Sequence, residues 1–150
     1  MKILSTHQMT EVDRLTKSEF GIPTLLLMEN AGSSLRSTLE SYIEDLESEW
    51  IAIVCGKGNN GGDGIVLARH LTQFRIYPDV YLLGKVDEVS GDARTNLDAY
   101  LETGESVRKI TDLKQWEEIS KQFEKYGVIV DALLGTGITK PLEGLYSAVV

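Results

Sequence analysis

The sequence predicts an α/β fold, a mostly parallel sheet covered by helices on both faces and preceded by a pair of helices. Three observations carry this reading. The first forty-odd residues show only helical periodicity, the remainder alternates short apolar runs with helical stretches, and glycine-rich turns follow two of the apolar runs. Parallel strands need long crossovers, and the helical stretches between the runs supply them.

The elements follow in order. Ser5 or Thr6 can cap a first helix with Met9, Val12, Leu15 and Phe20 roughly along one face. Gly21 closes it, and Pro23 fits the opening turn of the next. The second helix is expected from about Thr24 toward Leu46, with Leu27, Ala31, Leu35, Leu39, Tyr42 and Leu46 at mixed three- and four-residue spacing. Trp50-Ile51-Ala52-Ile53-Val54-Cys55 is a continuous apolar run that suits a strand buried on both faces. A glycine-rich loop and a helix through Ile65–Leu71 follow, then a strand at Asp79–Leu83, a polar helix around Asp92–Leu101 and a weak strand near Val107–Ile110. Thr111 or Asp112 caps a helix through Trp116, Ile119 and Phe123. Val128–Ala132 is the fourth strand, ending at a second glycine turn, Gly135-Thr136-Gly137.

Composition narrows the function classes. The 150 residues fit one domain, and 42% hydrophobic with 25% charged residues suits a soluble globular protein. A net charge of −8 argues against nucleic acid and anionic membrane surfaces, because phosphate binding needs a basic stripe. An anionic small ligand must then be held by local amides or helix ends. The single cysteine, Cys55, rules out an internal disulfide and reads as inert packing. No run approaches the roughly 20 apolar residues that span a bilayer, and the expected location is the cytoplasm.

Two segments carry chemistry. Gly56-Lys57-Gly58-Asn59-Asn60-Gly61-Gly62-Asp63-Gly64 lies between the first strand and a helix, at the carboxyl end of the sheet where open α/β folds bind ligands. Glycines at this density permit positive φ and close backbone approach. The stretch formally satisfies G-x-G-x-x-G, which alone is a weak signal, and the second strand ends Leu83-Gly84-Lys85 without the carboxylate a dehydrogenase uses for the ribose. A P-loop would close on Gly-Lys-Ser/Thr, whereas this loop closes on Gly62-Asp63. Two amides and a carboxylate instead suit a hard cation or a polar ring with its hydroxyl; the bland alternative is plain turn chemistry. Asp131, near the end of an expected buried strand, is costly unless paired or bound to a cation, or else it staples its own loop.

Three stretches in order give a resemblance. Leu27-Met28-Glu29-Asn30-Ala31-Gly32, Cys55 through Gly64, and Val130-Asp131-Ala132-Leu133-Leu134-Gly135-Thr136-Gly137 resemble the YjeF N-terminal domain, the NAD(P)H-hydrate epimerase family. The resemblance implies a three-layer Rossmann-like sandwich over residues 1–150 and epimerisation of the R and S forms of hydrated NADH or NADPH. By the same resemblance Asn59, Asn60, Gly61, Gly62 and Asp63 form one substrate loop, with Asp63 as the candidate acid/base. Gly135, Thr136, Gly137, Ile138, Thr139, Lys140 and Pro141 form the second, and Asn60 and Asp131 are potassium ligands. The family pattern continues into a further strand ending Asp-x-Pro-Ser-Gly, which supplies another aspartate and a serine. The chain stops before it, at Tyr146–Val150, so the expectation is a domain short of its C-terminal part. Expected partners are the small-molecule substrate, a second copy in a homodimer and a fused or separate dehydratase, with no nucleic acid or membrane.

The rival readings are a non-catalytic Rossmann-like nucleotide- or protein-binding module, in which the ligand loop erodes, and a nicotinamide dehydrogenase. His7 and His70 read as surface or helix-packing residues, Trp50 and Trp116 as packing anchors, Glu29 and Asn30 as helix polar-face residues, and Glu44-Asp45-Leu46-Glu47-Ser48-Glu49 as a solvated helix end.

Overall fold

In the computed structural model, which describes residues 3–138 and 141–150, four parallel strands form one sheet in the order β3-β2-β1-β4. The chain begins with helices α1 (Thr6–Ser18) and α2 (Thr24–Tyr42). Then come β1 (Ile51–Cys55), α3 (Asn59–Gln73), β2 (Asp79–Leu83), α4 (Gly91–Glu102), β3 (Arg108–Ile110), α5 (Leu113–Ser120), β4 (Val128–Ala132) and α6 (Gly144–Val149).

The starts of the helices follow local chemistry. Ser5 caps α1 through a reciprocal box with Gln8, the Ser5 hydroxyl accepting from the Gln8 amide and the Gln8 side chain accepting from the Ser5 amide. Gly21, at φ +65°, turns the chain into α2. Asp112 rather than Thr111 caps α5. Helix α2 stops at Tyr42, four residues short of the expected end, because Ile43 goes extended and Leu46 is buried from a separate 3₁₀ turn, Leu46–Ser48. Phe123 likewise lies beyond α5, in a 3₁₀ turn.

Strand β1 is central and buried along its whole length, as its unbroken apolar run requires. One sheet face packs on α2, α3 and α4 through Ile53, Cys55, Val66, Leu67, Leu71, Val80, Leu82 and Leu97. The other face packs Ala52, Val54, Tyr81, Leu83 and Ile110 against Trp116, Ile119 and Phe123 of the α5 region and Leu145, Tyr146 and Val149 of α6. Helices α5 and α6 cover the β2–β3 half of that face, so β4 is only partly shielded and Ile129 stays 53% exposed. Trp116 anchors as expected, its indole N–H donating to the Ala148 carbonyl. Trp50 does not; it precedes β1 and is 61% exposed. No helix among the described residues is long and apolar enough to cross a membrane.

Candidate active site at the switch point of the sheet

Strand order fixes the location. From β1 the chain steps outward to β2 and β3, then returns to lay β4 on the other side of β1. The loops leaving β1 and β4 therefore diverge at the carboxyl end of the sheet, the crevice where open α/β folds take ligands. The loop after β1 is Gly56–Gly58, and that after β4 begins at Leu133.

The two loops touch. The Gly56 amide donates to the Ala132 carbonyl at 2.9 Å, and a Cβ on Gly56 would sit 2.0 Å from the Leu133 carbonyl oxygen. A Cβ on Gly61 would sit 1.9 Å from the Gly56 carbonyl oxygen. No glycine from Gly56 to Gly64 has positive φ, contrary to one expected use of these residues; close backbone approach is what they allow here. Asn59 through Asp63 are also not loop but the opening turns of α3. The N-cap position, Gly58, offers no side-chain cap, so amides of the first turn remain directed at the crevice.

Each expected site residue can be placed. Asn60 reaches across to the second loop, its Nδ2 donating to the Leu134 carbonyl at 3.2 Å, and Gly135 lies against the Asn60 Cβ. That bond fixes the amide so that its oxygen is the group left over for a ligand. Gly61 and Gly62 are buried, Gly62 against the Met28 sulfur and the Ala93 backbone. Gly135, Thr136, Gly137, Ile138 and Pro141 are exposed, whereas Thr139 and Lys140 lie outside the described residues. Asp131 is exposed, not buried as expected, because it projects from β4 beside Val54 on the open part of the sheet face. One of its oxygens accepts from the Leu133 amide at 2.9 Å, so it also staples its loop, the bland alternative. Asn60 and Asp131 stand at the same end of the molecule, on helix and strand that meet through the Leu133–Gly135 turn. The donor set is hard: an amide oxygen, a carboxylate with one free oxygen and the carbonyls of two loops, chemistry that fits potassium. Among the described residues no group of three or more His, Cys, Asp or Glu side chains is placed to hold a metal.

Asp63 has the most unusual environment. It is half-buried in the first turns of α3 and makes no hydrogen bond among the described residues. Burial, and secondarily the charge of Asp13 on α1, push its carboxyl up to about 6. Asp13 was not legible as a neighbour of Asp63; only the fold, which brings its charge within reach of that carboxyl, reveals it. Lys57, by contrast, turns away, pairing with Glu88 at 3.1 Å and lying across Gly84.

The Leu27–Gly32 segment positions the site from behind. Met28 packs on Gly62 and accepts from the buried Asn96 amide at 3.2 Å. A Cβ on Gly32 would fall 2.3 Å from Val66, so α2 and α3 cross closely there. Glu29 pairs with both Arg69 and His70 on α3, the latter at 2.7 Å, which ties it to helix packing and not to the crevice. Thr24 at the start of α2 donates to Asp92 of α4. Cys55 is fully buried and its thiol is pushed far up by burial, which leaves it inert.

The chain is similar to known proteins over most of its length. Residues 24–150 match the family described as YjeF-related protein N-terminus. The chain is 36% identical over 151 residues to the bifunctional NAD(P)H-hydrate repair enzyme Nnr of Moorella thermoacetica, covering 100% of this chain and 28% of that protein. It is 34% identical over 148 residues to the NAD(P)H-hydrate epimerase of Rhodopirellula baltica, covering 98% of this chain and 57% of that one. The crystal structure of yeast ynu0 (YNL200c) superposes with a TM-score of 0.78 at 27% identity, covering all of this chain and 63% of its own. The chain thus spans between a quarter and two thirds of these proteins. With the family match over residues 24–150 and this fold in common with the yeast structure, it belongs to the YjeF N-terminal family.

Proposed function

We propose that the chain carries the substrate-binding core of an NAD(P)H-hydrate epimerase, which interconverts the R and S forms of hydrated NADH or NADPH. The observation that carries the reading is a half-buried carboxylate, Asp63, pushed up to about 6 by burial and set one helical turn from bare helix amides at the switch point. A classical dehydrogenase needs a carboxylate after β2 for the ribose, where this chain has Gly84-Lys85. The erosion expected of a non-catalytic module is also missing, since Asn59-Asn60-Gly61-Gly62-Asp63 and Asp131 are intact in the sequence.

In this reading the amides opening α3 and the Gly135–Pro141 loop, Thr136, Ile138, Thr139 and Lys140 included, hold the nucleotide's phosphates and ribose. The hydrated ring carries its hydroxyl on the carbon beside the ring nitrogen. Breaking and remaking that bond, or opening and closing the ring, inverts the centre if a proton is supplied and removed within hydrogen-bond reach. Asp63 is the group assigned to that transfer, since it lies half-buried in the opening turns of α3 and burial raises its carboxyl above the ordinary carboxylate range. Asn60 and Asp131 would hold potassium, which when bound supplies fixed positive charge beside the substrate. A cytoplasmic location, a homodimer and a dehydratase partner, fused or separate, complete the proposal. The names of the bifunctional relatives support a second activity on the same polypeptide in those proteins.

The test is turnover of purified S-form substrate to the R/S mixture, followed chromatographically, together with calorimetric titration of NADP with and without potassium. Asp63→Asn is expected to slow interconversion by about 100-fold or more while NADP still binds. Binding without turnover, in this chain and in a version extended by the family's Asp-x-Pro-Ser-Gly strand, would point to the non-catalytic module. Unchanged turnover in Asp63→Asn would remove Asp63 from the role.

A further inference from the structure

Asn96 on α4 is 5% exposed and, among the described residues, is the one buried side chain that is neither apolar nor aromatic. A primary amide taken out of water costs stability unless its hydrogen bonds are made, so a leucine would serve the packing alone at least as well. Its partners show what the polarity is used for. Nδ2 donates to the Asp92 carbonyl at 3.2 Å, one turn back on its own helix, and to the Met28 sulfur on α2, also at 3.2 Å. Both neighbours can only accept, which fixes the end of the amide that faces them.

Met28 is the core side chain that most needs such a hold. It is unbranched and flexible, and methionines fill gaps without specifying one arrangement. Its tip lies on Gly62: a Cβ there would stand 2.6 Å from the Met28 sulfur and 2.7 Å from its methyl, and 3.0 Å from the Ala93 Cα on α4. Gly62 has no side chain of its own to fix its place, so the groups pressed against it decide where it sits. The two flanking helices are tied again one turn earlier on each, where the Thr24 hydroxyl donates to the Asp92 carboxylate. Helices α2 and α4 therefore close on the opening of α3 from two sides, and the Asn96–Met28 bond sets the grip.

The gripped turn is the one that faces the crevice. The Gly62 amide donates to the Gly58 carbonyl at 3.0 Å, so the amides ahead of it, those of Asn59, Asn60 and Gly61, are the ones left for an anion. Asp63 follows directly. We infer that Asn96 is a positioning residue of the crevice: through Met28 it fixes the Gly62 turn, and with it the aim of the free amides and of Asp63. That a nucleotide lies on those amides rests on the function proposed above; the hold on Gly62 does not.

The test pairs residue-resolved amide exchange with calorimetric titration of NADP. Asn96→Leu keeps the volume and removes the donor, so stability in urea should hold or rise. The Gly62 amide should nevertheless exchange about tenfold faster while the amides of β1 are unchanged, and NADP affinity should fall about fivefold. Met28→Leu, which removes the acceptor, should reproduce both changes, so the inference does not depend on one variant folding. The double variant should lose no more than Met28→Leu alone, because Asn96 acts through that side chain. Additive losses, an unchanged Gly62 amide, or equal acceleration at Gly62 and in β1 would overturn the inference, as would a loosened Gly62 with full NADP affinity. Absence of NADP binding in the wild type would instead defeat the proposed function, and the Gly62 amide would still decide the role of Asn96.

Discussion

Replacing Asp63 by asparagine should make the protein more stable above about pH 4, and fully so above about pH 6. The carboxyl titrates at about 6 in the folded chain against an ordinary 3.8, so folding disfavours its ionised form. That difference corresponds to at most about 3 kcal/mol. The group keeps partial solvent access, which screens the cost, and about 1–2 kcal/mol is the sounder expectation. Because the folded value is the raised one, the penalty is absent below about pH 4, grows between 4 and 6, and is complete above about 6. Urea denaturation of wild type and Asp63→Asn at pH 8 should therefore separate by 1–2 kcal/mol, or about 2–8 °C in Tm, and should converge near pH 4. Asp13→Asn should narrow the gap, by removing the second contribution to the shift. A constant stabilisation at both pH values would show that packing or helix propensity, not burial of charge, is responsible. Destabilisation at pH 8 would refute the electrostatic account, and with it the reason for assigning proton transfer to this residue.

Two further substitutions test how the site is built. Gly61→Ala places a Cβ 1.9 Å from the Gly56 carbonyl oxygen, a backbone atom that cannot swing aside, so it should destabilise by about 1–3 kcal/mol and abolish NADP binding in calorimetry even where the chain stays folded. Glu29→Ala removes two partners, Arg69 and His70, from a partly buried junction between α2 and α3. It should cost about 1–2 kcal/mol in denaturation while leaving substrate affinity within about twofold; a selective loss of affinity would mean that Glu29 acts at the crevice after all.

The strands were legible because their signal is short and unambiguous. Asp79–Leu83 and Val128–Ala132 match the expected bounds residue for residue, and the β1 run errs only at Trp50. A run of apolar residues states that a strand is buried but not where the pleat enters the core, and Trp50 sits one step too early. The end of α2 was misjudged for a related reason. Leu46 continues the helical spacing, yet it reaches the core from a 3₁₀ turn after a break that no glycine or proline announces. Periodicity records which side chains are buried, and two backbones can bury the same one.

The misreading of Asp131 and the omission of Asp13 come from a deeper limit. Whether a carboxylate is buried depends on what covers its strand, and β4 lies at the edge of the sheet, where α5 and α6 leave its side of one face open. Neighbours in space are equally silent in sequence: Asp13 and Asp63 are fifty residues apart, and only the folding of α1 toward α3 makes the first a perturbing charge on the second. Glycine shows the opposite case. The Gly56–Gly64 stretch announced close approach, and the structure supplies the surfaces, Leu133 against Gly56 and Gly56 against Gly61. Those contacts lock the β1 and β4 loops into one unit, so any side chain added at Gly56 or Gly61 must move both loops together. The crevice is consequently positioned by absent atoms as much as by present ones.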